Sequence, residues 1–163
     1  KPRILVTGTP ISPVSDKVIH AVEEAGGCVV CHDACSGVKT FDRPVDEDRD
    51  PLTALAERTL SIPCACMSPN EGRFDLMERM VRQYRANAVI DTVLHGCHTF
   101  NVESSLMKRF VTEDLKIEYL KLETDYSEND AAWIQTRIEA FLEILSERTE
   151  EKPQGRETMS ASA

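Results

Sequence analysis

The sequence predicts an α/β fold: a four-stranded parallel sheet with helices on both faces, Rossmann-like or flavodoxin-like in architecture. Three observations predict it. Four short strand-like runs lie at 3–9, 28–34, 87–94 and 116–123. Each is followed by a longer stretch that contains apolar residues at helical spacing. Runs and stretches alternate along the chain, the pattern of βαβ units, and the right-handed crossover then lays the strands parallel beneath their helices.

"RILVTGT" (3–9) is a continuous apolar run closing on glycine, as a strand buried on both faces requires. In "SPVSDKVIHAVEEAGG", Ser12 is placed as an N-cap and Pro13 at the first helical position. Val14, Val18, Ala21, Val22 and Ala25 form one face of this helix, and Gly26–Gly27 stop it. "CVVCHDA" (28–34) is the second strand. "FDRPVDEDRDP" is too charged and too broken by proline to be core, and leads into a short helix near 51–61. "CACMSPN" (64–70) is a loop before a helix over about 71–85, with Leu76, Met77, Met80, Val81 and Tyr84 inward. "NAVIDTVL" (87–94) is the third strand, and "NVESSLMKRFVTE" is a helix that Asn101 can cap. "KIEYLKLE" (116–123) is the fourth strand. "TDYSEND" then turns the chain into a last helix, about 129–147, with Trp133, Ile138, Phe141, Leu142 and Leu145 as its apolar side. From 148 onward "RTEEKPQGRETMSASA" has no periodicity and reads as a disordered tail, so the domain is 1–147.

A single domain of this size with 41% apolar residues can bury a real core. The net charge of −9 speaks against non-specific nucleic-acid or membrane-surface binding. No apolar run approaches the roughly 20 residues that span a bilayer, and no secretory signal pattern is present. The chain opens on Lys1 with the first strand following at once, as expected of the downstream part of a longer protein. Six cysteines (28, 31, 35, 64, 66 and 97) are many for such a domain. With no signal pattern, a reducing cytoplasmic compartment, with some cysteines as iron–sulfur or metal ligands, is preferred to disulfides.

In open parallel sheets, ligands lie beyond the carboxyl ends of the strands. "TGTP", "DACSG", "HGCHTF" and "ETDYS" fall at those four ends and so share one edge. Cys28 and Cys31 lie within a strand beside Val29 and Val30 and read as small buried hydrophobes. Cys35, in a turn before Ser36–Gly37, is open to both a thiolate role and a plain structural one. Cys64 and Cys66 form a C-x-C loop after Pro63, a weak signal that can supply one ligand. Cys97 has the strongest local case, because it combines a strand end, Gly96 and a following helix start that stabilises thiolate. Thiolate is the form that binds iron, and the paired C-x-x-C spacing of a closed zinc site is missing. His95 and His98 flank Cys97 and read as loop-holding or substrate-side groups before ligands or bases. "TGTP" is not a phosphate-cradling loop. Glu123 and Asp125 read as cap and solvent groups, and Tyr126 as a candidate crevice residue.

Five segments, "RILVTGTPIS", "EEAGGCVVCHDACSG", "HGCHTFNVES", "KIEYLKLETDYS" and "TRIEAFLEIL", stand in the order and spacing of one family. The chain resembles, over residues 2–147, the C-terminal half of the 2-hydroxyglutaryl-CoA dehydratase D-component family. That family takes in subunits of 2-hydroxyacyl-CoA dehydratases, benzoyl-CoA reductase subunits and double-cubane-cluster proteins. The resemblance implies an oxygen-sensitive protein of anaerobic metabolism, with two Rossmann-like halves per subunit. It also implies an iron–sulfur cluster (4Fe-4S, or a double cubane) held by three cysteines where the halves meet. The implied reaction removes water from an (R)-2-hydroxyacyl-CoA through a ketyl radical, after a separate ATP-hydrolysing activator injects one electron. The implied partners are a second dehydratase subunit, that activator and the acyl-CoA. Carried over residue by residue, the match at "HGCHTF" marks Cys97 as the first ligand, with Cys35 in "DACSG" and Cys64 in "IPCAC" as further ones. His95 and His98 become surrounding groups, and other ligands are expected from an N-terminal half. Two alternatives share these motifs: a double-cubane or benzoyl-CoA-type reductase subunit, and a non-catalytic truncated assembly module.

Overall fold

The computed structural model describes residues 1–10, 13–34 and 36–150, the side chains of 13–15 and 149–150 excepted. Ser12, the side chain of Val14, Cys35 and the tail from 151 onward therefore lie outside the described residues. Among the described residues, four strands, β1 (Arg3–Gly8), β2 (Cys28–Asp33), β3 (Ala88–Leu94) and β4 (Glu118–Thr124), pair in parallel in the order β2-β1-β3-β4. Five α-helices accompany them: α1 (Pro13–Glu24), α2 (Pro51–Leu60), α3 (Glu71–Tyr84), α4 (His98–Arg109) and α5 (Ala131–Glu150). The α/β expectation holds in class, strand number and orientation.

Strand periodicity divides the core in two. Ile4 and Val6 of β1, Ala88 and Ile90 of β3 and Leu120 and Leu122 of β4 point to one face, against α1 and α5. Leu5 and Val89 point to the other, against Leu76, Met77 and Met80 of α3 and Met107 of α4. The central strands β1 and β3 are buried on both faces and carry near-continuous apolar runs. The edge strand β4 is buried only at alternate residues, which is why "EYLKLET" alternates.

Three local details differ from the sequence reading. Helix α4 begins at His98 with Cys97 in the N-cap position, four residues before the expected cap. Gly96, at φ 77, makes the left-handed turn that sends the chain straight from β3 into the helix. Asn101 instead lies inside α4, where its side-chain oxygen accepts from Lys121 Nζ. Trp133 is 46% exposed, with the Arg137 guanidinium 5.0 Å from its ring centroid. It stands about 100° round the helix from Ile134, which heads the buried stripe Ile134, Ile138, Phe141, Leu142 and Leu145. Finally, α5 runs to Glu150, past the expected end at 147. Arg148 is held there by an ion pair with Glu118 at the sheet edge.

Candidate functional site

The chain leaves β1 for β2 on one side of the sheet and places β3 on the other, so β1 and β3 flank a topological switch point. Their carboxyl ends stay in contact: the Thr9 N–H donates to Thr92 O at 2.8 Å and the Thr9 hydroxyl to the same oxygen at 3.1 Å. Gly8 makes this approach feasible. Its φ is 121°, and a Cβ there would stand 2.0 Å from Thr92 O.

Cys97 follows directly at this edge. Its N–H donates to Leu94 O at 3.0 Å, its carbonyl accepts the Asn101 N–H at 3.0 Å, and its half-buried thiol lies 3.8 Å from Thr99 Oγ1. Cys97 is thus the N-cap residue of α4, and its side chain makes no capping hydrogen bond to the first N–H groups of the helix. His95 is anchored through its backbone, donating to Thr124 O at 2.8 Å. His98 opens α4 and lines a shallow surface hollow with Asn101, Val102, Ser105 and Leu106. Neither imidazole hydrogen-bonds Cys97 among the described residues, so the structure does not assemble a Cys–His nucleophilic pair.

Cys64 reaches the same edge by another route. Helix α3 runs back along the sheet, so the loop before it lies over the carboxyl ends of the strands. The Cys64 carbonyl accepts from Met67 N at 3.0 Å and from Asn70 Nδ2 at 3.0 Å. The Cys66 backbone N–H holds the Cys64 thiol below its ordinary range, against a smaller opposing effect of burial; the Cys66 thiol and the charge of Lys39 add to the lowering, and Glu103 opposes it. Cys31 is the opposite case. Burial, with Asp33 adding, pushes its thiol up to about 12, so it is an inert core residue as its strand position suggests. Cys28 is half-buried and Cys66 exposed. Among the described residues no three His, Cys, Asp or Glu side chains group closely enough to share a metal ion. Two thiols at one edge, one of them held toward thiolate, fit part of a three-cysteine cluster set, and Cys35 falls outside the described residues.

Beneath this edge lies a buried polar cluster. Asp33, at the end of β2 and 0% exposed, receives Arg73 Nη1 from α3. Arg73, 2% exposed, also donates through Nη2 to Thr7 Oγ1 at 2.6 Å and through Nε to Glu103 Oε2 of α4 at 3.2 Å. Burial alone would lower the Arg73 pKa, but Asp33 and Glu103 outweigh it and the guanidinium is held charged. The Lys39 ammonium lies 3.8 Å from Asp33 and 5.8 Å from the Phe100 ring centroid. A neighbouring group joins Asp91 of β3 to the Tyr119 hydroxyl and to Ser104 Oγ, the latter at 2.6 Å.

The profile of the family described as 2-hydroxyglutaryl-CoA dehydratase, D-component, matches residues 1–145. The chain belongs to this family. A relative in Escherichia coli (strain K12), described as "Putative dehydratase subunit YjiM", is 43% identical over 145 residues, which make up 89% of this chain and 38% of that protein. The chain therefore spans well under half the length of this relative. Among the described residues no helix is long and apolar enough to cross a membrane.

On this D-component chain the structure brings the Cys64 loop and Cys97 to one edge, with the two histidines beside Cys97. Asp125 forms a turn, accepting from Ser127 N at 2.7 Å and from its hydroxyl at 2.6 Å, so it is held below the ordinary carboxylate range. Tyr126 is mostly exposed. The sequence reading missed the Asp33–Arg73–Glu103 cluster. Its signal was present: Arg73 precedes Leu76 and Met77 by three and four positions and so shares their inward face; for the neighbouring group, Asp91 stands with Thr92 within the apolar run of β3.

Proposed function

We propose that this chain forms part of the iron–sulfur subunit of a 2-hydroxyacyl-CoA dehydratase, with Cys97, Cys64 and Cys35 as ligands of a 4Fe-4S cluster. The observation that carries the reading is the placement of Cys97 and the lowered Cys64 thiol at the carboxyl edge of a D-component sheet. When bound, the cluster supplies a Lewis-acidic iron and a relay for a low-potential electron. One electron added to the thioester gives a ketyl radical anion, hydroxide leaves from C2, the β-proton becomes acidic enough to depart, and the electron is returned. The net change is loss of water from the (R)-2-hydroxyacyl-CoA. This chain's part is to hold thiolates: Cys97 at the start of α4 and Cys64 beneath the Cys66 N–H. The packed sheet below them keeps water from one side. The partners in this reading are a second dehydratase subunit, an ATP-hydrolysing iron–sulfur activator and the acyl-CoA, in an anaerobic cytoplasmic setting.

The test is anaerobic reconstitution of the full-length protein with iron and sulfide. A broad visible absorption is expected, with stoichiometric iron, and Cys97→Ser and Cys64→Ser should each diminish it. A wild-type protein that binds no cluster overturns the reading. A cluster-bearing protein that, once activated, reduces acetylene but leaves (R)-2-hydroxyacyl-CoA untouched reassigns it to the double-cubane-type reductases.

A further inference from the structure

Asn70 and Glu103 bridge the Cys64 loop to helix α4. One Asn70 side-chain nitrogen donates both to the Cys64 carbonyl, at 3.0 Å, and to Glu103 Oε1, at 2.6 Å. The other Glu103 oxygen accepts from Arg73 Nε at 3.2 Å, and the Arg73 side chain is 2% exposed and tied to Asp33 and Thr7. Glu103 belongs to α4, the helix whose N-cap is Cys97. A single carboxylate therefore joins the Cys64 loop, the Cys97 helix and, through Arg73, the carboxyl ends of β1 and β2.

We propose that Glu103 is a positioning residue that sets the Cys64 loop against the Cys97 helix, so that the two cysteine-bearing segments move as one body. Its purpose rests on the reading of Cys64 and Cys97 as cluster ligands; the coupling itself does not. The chemistry explains why a carboxylate is used. Glu103 must accept on both oxygens at once, from an amide N–H and from a guanidinium N–H. A glutamine keeps the shape but turns one acceptor into a donor facing a donor. Asn70 has the complementary need, since its amide donates in two directions and an aspartate there would set two carboxylates against each other.

The experiment is hydrogen exchange, read by mass spectrometry, on the full-length protein without metal, comparing wild type with Glu103→Gln and Asn70→Asp. A hydrogen bond to a charged group is worth enough that its loss should raise exchange in the 62–70 segment by about tenfold, equivalent to about 1.4 kcal/mol. In Asn70→Asp, which leaves Arg73 paired with Asp33 and Glu103, the β3 and β4 segments should keep wild-type exchange, which a general loss of stability would not allow. Should Glu103→Gln fail to fold, Asn70→Asp alone decides, because Asn70 is half-buried at the start of α3 and outside the core. Unchanged exchange at 62–70, or an equal rise across every segment, overturns the proposal. Iron–sulfur reconstitution of the same samples separates the two readings: coupled exchange without any cluster keeps this inference and sinks the cluster, and a cluster with uncoupled exchange does the reverse.

Discussion

Replacing Asp33 by asparagine tests the buried cluster directly. Asp33→Asn keeps the side-chain shape and removes the charge. It leaves Arg73 Nη1 facing either a neutral oxygen or another N–H donor, with the Lys39 ammonium 3.8 Å away. Removing one partner of a buried ion pair costs about 3–5 kcal/mol, because the remaining charge stays out of water. Arg73 retains Glu103 at 3.2 Å and Thr7 at 2.6 Å, so the lower end, about 3 kcal/mol, applies here. For a chain of this size that is a fall in Tm of about 6–12 °C. Thermal and urea unfolding followed by far-ultraviolet circular dichroism would measure it. Added salt should change the loss little, since Asp33 is 0% exposed and shielded from counterions. The internal control is Glu57→Gln, which removes the Arg49–Glu57 pair, where the side chains are 48% and 55% exposed and the cost should stay below about 1 kcal/mol. An Asp33→Asn loss no larger than that control would refute the argument that Asp33 and Arg73 depend on each other for burial.

Three further outcomes follow from the same structure. Gly8→Ala should destabilise by more than about 3 kcal/mol in urea unfolding, since a φ of 121° is strained for alanine and the new Cβ would meet Thr92 O at 2.0 Å; a loss under about 1 kcal/mol would mean β1 and β3 do not meet there. His32 titrates at about 4 rather than 6.5, because burial lowers it, Asp33 opposes and Lys39 adds to the lowering. The unfolded chain thus takes up this proton first, so stability is full above about 6.5 and is lost as pH falls toward about 4, and His32→Asn should flatten that slope in denaturant midpoints; an identical slope in both proteins would exclude His32 as its source. In native-state alkylation at mildly alkaline pH, Cys66 and Cys64 should be modified well before Cys31, whose thiol is pushed up to about 12; mass spectrometry finding Cys31 among the first labelled would contradict its placement in the core.

Strand and helix identity was legible because it rests on local periodicity. The run at 3–9 reads as a strand buried on both faces and 116–123 as a fourth strand, and the structure puts the latter at the sheet edge. Boundaries that depended on a backbone turn were harder. Asn101 is a good capping residue, yet the φ of 77° at Gly96 starts the helix at His98 and leaves Cys97 at its cap. Trp133 looked like core by size, but α5 turns its stripe about 100° away and Arg137 covers the ring. Cys31 was correctly read from its apolar neighbours. The distinct chemistry of Cys64 was not readable, because it arises from the Cys66 N–H and from Lys39, brought there by folding.

By itself the sequence determined the α/β class, the family and the gathering of Cys97 and its histidines at a carboxyl edge, because hydrophobic period and chain order are properties of the linear chain. Only the tertiary structure decided which charges are buried together. Asp33, Arg73 and Glu103 lie on three different elements, 40 and 30 residues apart along the chain. Their pairing depends on the strand order β2-β1-β3-β4 and on α3 running back over it, and no spacing rule along one element can express that.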